Sequence, residues 1–313
     1  MSTATLSELV PAGNEAGLER VISLVLDGVT STHTKTAYRR ALRDFVGWYR
    51  ATGQQALNKA TVQRYASELA KAGASAASIN QRLSAIRKLS AEAADNGLLP
   101  EAIASAISRV KGRRQEGRRS GNWLDKEQAQ ALLDAPDTRT LKGLRDRAIL
   151  AVLLGCGLRR AEAARLTFDH IGQRDGRWVL VDLVGKGNKV RTVPMPSWAK
   201  VAIDAWAKTA GIAEGRVFRS VNRHGQITGQ SMTDQAIADV VRAYRDRIGQ
   251  PDLGAHDLRR TFAKLAHKGG AALEQIQLSL GHGSLVTTER YLGVEQDLTQ
   301  APCDMLGLRL SGK

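Results

Sequence analysis

Residues 178–194 read Trp178-Val179-Leu180-Val181-Asp182-Leu183-Val184, then Gly185-Lys186-Gly187-Asn188, then Lys189-Val190-Arg191-Thr192-Val193-Pro194. Two β-rich runs about a glycine turn predict two strands joined by a tight hairpin. Outward from this stretch, the patterning turns helical in both directions. Helices are expected near 198–210, 231–248, 256–268, 273–280 and 284–292. Upstream, Leu158 to Leu166 reads as a short helix, and Arg147 to Leu154 as a buried one ending at Gly155-Cys156-Gly157. Asp125 with Gln128 forms a capping box ahead of Ala129, Leu132 and Leu133, so this unit starts near Trp123. The expected fold class is mainly α with a small β-sheet.

The first half is helical throughout. A short helix is expected around Leu18 to Leu26. From Thr34, apolar residues recur at Tyr38, Ala41, Leu42, Phe45, Trp48 and Tyr49, the stripe of a core-facing helix. Its other face carries Lys35, Arg39, Arg40, Arg43 and Arg50. Thr61 is placed to cap a second helix and Ser75 a third, with Ile79, Leu83, Ile86 and Leu89 inward and Gln81, Arg82, Arg87 and Lys88 outward. Asn96-Gly97 stops that helix, and Pro100 opens a fourth. The expected domains are a lead at 1–30, a helical bundle at 31–108, a basic linker at 109–122, a second, mixed domain at 123–292 and a tail at 293–313.

Charge narrows the partner. The chain has 313 residues, 46 Lys and Arg against 31 Asp and Glu, and a net charge of +15. Such a surface attracts polyanions, with binding that weakens steeply in salt. Neither end carries a basic amphipathic helix with an aromatic face, which favours nucleic acid over membrane. No apolar run reaches the ~18 residues of a membrane helix, and the first thirty residues do not read as a signal peptide. Cys156 and Cys303 stand far apart, so no disulfide framework or zinc site is expected, and the setting reads as a reducing cytoplasm. The linker, with six basic residues and three glycines against one acid, is suited to cross a DNA backbone.

The chemistry lies in an ordered set: Arg159, Lys186, His256, Arg259, His282 and, late in the chain, Tyr291. Each has an ordinary structural explanation taken singly. Together they suit one task. Two guanidiniums can grip the non-bridging oxygens of a phosphodiester and stabilise the charge gained under attack. Losing one such donor should cost about 3–4 kcal/mol in barrier, by analogy with oxyanion holes. A phenol with a pKa near 10 needs help at neutral pH, which neighbouring cations and His256 can give. The leaving 5′ oxygen needs a proton, and Lys186, its pKa lowered by surrounding arginines, is the candidate acid. Glu162 and Asp257 read as partners orienting Arg159 and His256. No Gly-x-x-x-x-Gly-Lys-Ser/Thr loop or clustered acidic triad is present, so neither metal nor other cofactor is expected.

At Gly157-Leu158-Arg159-Arg160-Ala161-Glu162, His256-Asp257-Leu258-Arg259 and Leu280-Gly281-His282, nine residues before Tyr291, the chain resembles the tyrosine recombinase (phage integrase) family. The match covers nearly the whole length. It implies a SAM-like core-binding bundle, a basic linker and a mixed α/β catalytic domain. It also implies that Arg159, Arg259, His256 and His282 contact the scissile phosphate, that Lys186 works from the hairpin turn and that Tyr291 is the nucleophile. Arg260 stands where many relatives have a second histidine, and Arg160 replaces a more apolar neighbour. The two-domain layout suits a Xer-like recombinase or a mobile-element integrase. The resemblance also favours docking of the tail, with Leu298, Met305, Leu306, Leu308 and Leu310, on a neighbouring subunit.

The reading is therefore a site-specific recombinase acting through a 3′-phosphotyrosyl intermediate. A type IB topoisomerase-like enzyme and a non-catalytic architectural DNA-binding protein are the alternatives. The expected partners are a double-stranded recombination site and three further protomers, as a homotetramer or a heterotetramer with a paralogue. The expected location is the nucleoid of the cytoplasm, with no membrane partner. Candidate DNA contacts are Arg39, Arg43, Gln81, Arg82, Arg87, Lys88, Lys111, Arg113, Arg114, Arg118, Arg119, Lys189 and Arg191. Candidate base readers are Gln81, Arg82 and Arg87, with Thr233, Asp234 and Gln235 at the start of a later helix.

Overall fold

A computed structural model of the chain describes residues 15–54, 56–114, 122–185, 189–282, 284, 288–289 and 292. It divides into two compact units, Met1–Arg118 and Arg119–Lys313.

The first unit packs five helices: α1 (Glu15–Asp27), α2 (Thr32–Ala51), α3 (Lys59–Lys71), α4 (Ala76–Asp95) and α5 (Glu101–Ser108). Ser31 caps α2 and Ser75 caps α4, each accepting from a backbone N–H in the first turn. Asn58, not Thr61, caps α3: Asn58 Oδ1 accepts from Thr61 N at 3.0 Å, while the buried Thr61 hydroxyl donates to Ala56 O at 2.7 Å. The stripe of α2 buries Ala41, Leu42, Phe45, Val46 and Tyr49. Phe45 and Trp48 pack on Tyr65 of α3 with ring centroids 5.1 and 4.9 Å away. Trp48 Nε1 donates to Glu68 at 2.6 Å, satisfying the indole where its ring is packed. Helix α4 is central, with Ile79, Leu83, Ile86 and Leu89 buried among the other helices.

The bundle extends past its expected end at residue 108. Val110 is buried in the core, Arg87 donates to its carbonyl, and Asn80 exchanges two hydrogen bonds with the backbone of Arg113 at 2.9 and 2.8 Å. Residues 109–114 of the expected linker thus belong to the first unit, because they satisfy polar groups of α4. The remainder, 115–121, lies outside the described residues.

The second unit contains α6 (Lys126–Asp134), α7 (Leu141–Gly155), α8 (Arg160–Arg165), β1 (Ile171–Arg174), β2 (Arg177–Val184), β3 (Val190–Pro194), α9 (Ser197–Ala210), α10 (Asp234–Arg245), α11 (Ala255–Lys268) and α12 (Leu273–Leu280). The Asp125–Gln128 capping box opens α6. Helix α7 is buried from Ala148 to Leu153, as a helix hydrophobic all round must be. The sheet is antiparallel in the order β1-β2-β3, with a register irregularity in β2 between Leu180 and Leu183. Strand β1 was not among the expected elements. It follows from the Asp175-Gly176 turn, where both residues have positive φ (49° and 71°), the conformation that closes a two-residue hairpin. Among the described residues, no helix is long and apolar enough to cross a membrane.

Candidate active site

Arg259 is where the motif segments meet. Its side chain, on the second turn of α11, is fully buried. Nη1 donates to the carbonyl of Gly157 at 2.7 Å, and Nη2 donates to the carbonyl of Leu280. One guanidinium therefore joins the turn before Arg159 to the helix end before His282. Gly157 has φ +58°, and a Cβ there would sit 2.6 Å from the Phe262 ring. Backbone conformation and close approach both demand glycine at that turn.

From that turn the chain enters α8 with Arg159 at its N-cap. Glu162 reaches back: Oε2 accepts from Arg159 N at 2.8 Å and Oε1 from Arg159 Nη1 at 2.7 Å. The same carboxylate receives Arg191 of β3, Nη1 on Oε1 and Nη2 on Oε2, each at 2.9 Å. Glu162 thus accepts four N–H groups, as many as its lone pairs allow. Despite a burial penalty, the Arg191 and Arg159 guanidiniums and the Arg159 amide bring its pKa down to about 2. The bonds described for Arg159 use only Nη1 of its guanidinium, which remains about one-third exposed (31%). It can present its other edge to a ligand.

His256, in the first turn of α11, and His282, just after α12, complete the described cluster. Burial lowers the His282 pKa to about 4, helped by Arg259, Arg159, His256 and Arg191. The His256 pKa is also lowered, by desolvation of its packed side and then by Arg259 and Arg260. Both rings are therefore neutral at pH 7 without a bound anion. Among the described residues, the positive charge of the cluster comes from arginine, and the lowered values favour neutral imidazoles. Nδ1 of His282 lies 3.0 Å from the buried hydroxyl of Thr288, a partner with no distinguishing signal in the sequence. Asp257 neighbours His256 in the first turn of α11. Its described bonds cap α11 through Gly254 N and hold Arg260, both at 2.9 Å, and its charge also acts on His256.

Lys186 and Tyr291 lie outside the described residues. Gly185 N donates to Lys189 O at 2.8 Å, between the end of β2 and the start of β3. Thr288, three residues before Tyr291, is buried, and Leu292, one residue after it, is buried with Ala263, Ile276 and Leu280. Among the described residues, no group of three or more His, Cys, Asp or Glu side chains could hold a metal ion.

The expected DNA contacts divide. Arg39, Arg43, Gln81, Lys111, Arg113, Arg114 and Lys189 are exposed, the first two sharing Glu19. Arg82 turns to Asp44 and Ser78, Arg87 to Val110 O and Lys88 to Glu92, since each finds a nearby acceptor. Arg118 and Arg119 fall outside the described residues. Thr233 caps α10, Asp234 pairs with Arg160 at 3.4 Å and Gln235 binds Asp239. Arg191 is the clear correction. Its side chain is only 8% exposed and engaged by Glu162, so it faces inward rather than toward a DNA backbone. Strand alternation carried that signal, because Arg191 shares a face with the fully buried Val193.

One helical unit and one mixed α/β unit, the second bringing Arg159, Arg259, His256 and His282 together near the start of α11, have the layout of the integrase class. The phage integrase family model matches residues 122–297, and its N-terminal SAM-like domain matches residues 21–97. The chain belongs to the phage integrase family, and it is a site-specific DNA recombinase of the tyrosine class. It is 30% identical to the tyrosine recombinase XerC of Xanthomonas campestris pv. campestris (strain B100) over 293 residues, 92% of this chain and 84% of the relative. It is 31% identical to the XerC of Mycobacterium tuberculosis (strain ATCC 25177 / H37Ra) over 283 residues, 87% of this chain and 91% of the relative. Its fold matches XerH bound to a palindromic difH substrate, in a post-cleavage complex, with a TM-score of 0.68 at 20% identity, covering 94% of this chain and 84% of that one. It also matches lambda integrase (75-356) bound to a core site, with a TM-score of 0.65 at 15% identity, covering 90% and 96%. These likenesses do not favour the topoisomerase-like or non-catalytic alternatives.

Proposed function

We propose that this recombinase cleaves and rejoins duplex DNA at its recombination site with Tyr291 as nucleophile. The tyrosine oxygen bonds to phosphorus as the bond to the 5′ oxygen breaks, leaving a 3′-phosphotyrosine. Lys186, on the hairpin turn, gives the departing oxygen its proton. His256, neutral before DNA arrives, accepts the phenolic proton. Rejoining reverses the step: a 5′-hydroxyl attacks the phosphotyrosine and the phenol leaves. The phosphodiester bond energy is kept in the intermediate, so no nucleotide is consumed.

Arg159 and Arg259 would hold the non-bridging oxygens, where charge develops in the transition state. The observation that carries this reading is the Arg259 guanidinium, fixed by the carbonyls of Gly157 and Leu280. That anchoring preorganises the charge and keeps Arg159, His256 and His282 within its field. Nicked suicide DNA tests the nucleophile. Wild type should trap a covalent adduct, while Tyr291→Phe should bind equally well and trap none. An adduct formed by the phenylalanine variant would remove the assignment.

We further propose that four protomers, identical or paired with a paralogue, assemble on two duplexes in the nucleoid. The apolar tail from Leu298 to Leu310 would dock on a neighbour. A groove of about 410 Å³, with Leu133, Ala151, Leu154, Trp198, Ala202 and Leu265 in its lining, has matching chemistry. Removal of residues 293–313 should leave single-site DNA binding intact and abolish the tetramer on native mass spectrometry. A tetramer that survives the truncation would refute this docking.

A further inference from the structure

We infer that Arg191 is a positioning residue for strand cleavage, a strut holding the three motif-bearing segments in one register. The inference rests on the recombinase reading above. Arg191 stands on β3, five residues beyond Lys186, and its guanidinium spans two other elements at once. Nη1 and Nη2 hold both oxygens of Glu162 on α8, and Nε donates to the carbonyl of Ser279 near the end of α12 at 2.9 Å. Ser279 precedes His282 by three residues, and Glu162 follows Arg159 by three. One side chain thereby connects the hairpin stem, the Arg159 turn and the approach to His282.

Two glycines record how tightly the strut is enclosed. A Cβ on Gly281 would lie 2.9 Å from Arg191 Cδ, and Gly281 has φ +64°. A Cβ on Gly185 would lie 3.3 Å from Arg191 Nη1 and 3.6 Å from Arg159 Nη1. The two motif turns have therefore closed on this side chain from both sides. A lysine could not replace it, because an ammonium is a compact point donor and cannot span a carboxylate bidentately while reaching a carbonyl behind.

The charge arrangement gives the strut an electrostatic consequence. Glu162 is shared between two guanidiniums, so the trio carries one net positive charge. Without Arg191, the carboxylate would neutralise Arg159 alone and weaken its grip on phosphate. All three side-chain nitrogens of Arg191 are engaged by Glu162 and Ser279, which assigns it to positioning.

The test compares R191A, R191K, E162Q and the E162Q/R191A double variant in the full-length protein. Single-turnover cleavage of nicked DNA by R191A should fall about 100-fold, the scale expected when a reacting group is displaced by about 1 Å. R191K should recover little of that rate. The double variant should be scarcely slower than the worse single one, since both remove the same unit. DNA affinity and its salt slope should stay at wild-type values, whereas a lost phosphate contact lowers the slope by about 1. Amide hydrogen exchange at 279–282 should accelerate in R191A, a readout that stands even if no strand is cut. Near-wild-type cleavage by R191K, additive losses, a reduced salt slope or unchanged exchange at 279–282 would each overturn the strut. Absence of an adduct in wild type would instead count against the recombinase reading.

Discussion

Two buried carboxylates in the second unit are built alike and serve different ends. Asp146 on α7 accepts Arg145 Nε at 2.9 Å and Nη2 at 2.6 Å on one oxygen, with Tyr244 at 2.9 Å and Lys142 at 3.3 Å on the other. Glu162 likewise takes four donors. The difference lies in what surrounds the arginines. Arg145 is 5% exposed and turns its remaining edge to the Arg219 carbonyl, so its bonds close inside the protein. Arg159 is 31% exposed and spends one nitrogen of its guanidinium on Glu162. A closed cluster specifies the packing of α7 against α10, while an open one leaves charge at the surface for a ligand. Tyr244 makes the same point for phenols. Burial and the Asp146 charge push its pKa up, so it is held as a hydrogen-bond donor and is a poor nucleophile.

That contrast can be broken most forcefully at Asp146. Asp146→Ala leaves the buried Arg145 unpaired and should cost about 3–5 kcal/mol of stability. Chemical denaturation should show the loss, while the fraction that remains folded cleaves DNA within a few-fold of wild type. Arg159→Ala should do the reverse, raising the cleavage barrier by about 3–4 kcal/mol with almost no change in the denaturation midpoint. Equal effects of the two variants on both measurements would erase the distinction.

A smaller change sharpens the comparison at the open cluster. Gly281→Ala forces a Cβ into a left-handed backbone and against Arg191, and should destabilise by at least about 1–2 kcal/mol. Its cleavage rate should drop as well, because the strut moves; stability lost without rate would separate packing from positioning. The gentlest probe is pH. His282 takes its proton at about 4 in the folded protein against 6.5 ordinarily, and Glu162 at about 2 against 4.5. Both folded values are depressed, so their stabilising contributions are present at neutral pH. They are lost as pH falls, His282 between about 6.5 and 4 and Glu162 between about 4.5 and 2. His282→Asn should flatten the upper window of a stability profile, and an unchanged slope there would contradict the assigned environment.

Legibility in the sequence followed the range of the interaction. Ser75 and the Asp125–Gln128 box announce helix starts because a cap bonds three residues away. Asn58 and Thr61 offered two polar side chains for one start, and only packing decided that Thr61 is buried. Strand β1, Ile171-Gly172-Gln173-Arg174, is short and half polar, so its pairing with β2 carries the information rather than its own residues. The site was legible as an ordered set of residue types suited to a phosphodiester. What escaped were partners distant in sequence: Ser279 for Arg191, Gly157 and Leu280 for Arg259, Asn80 for Arg113. Arg191 itself read as a surface cation, since a basic residue beside a basic turn looks solvated until its strand face is considered.

The central claim is that the arginines gathered around α11 let one tyrosine capture a 3′ phosphate. Peptide mapping by mass spectrometry, after trapping on nicked DNA and nuclease trimming, tests it most directly. The account predicts a single nucleotide-bearing peptide with the modification on Tyr291 and no adduct from Arg159→Ala/Arg259→Ala double-variant protein. Attachment at any other residue, or undiminished trapping by that double variant, would contradict it.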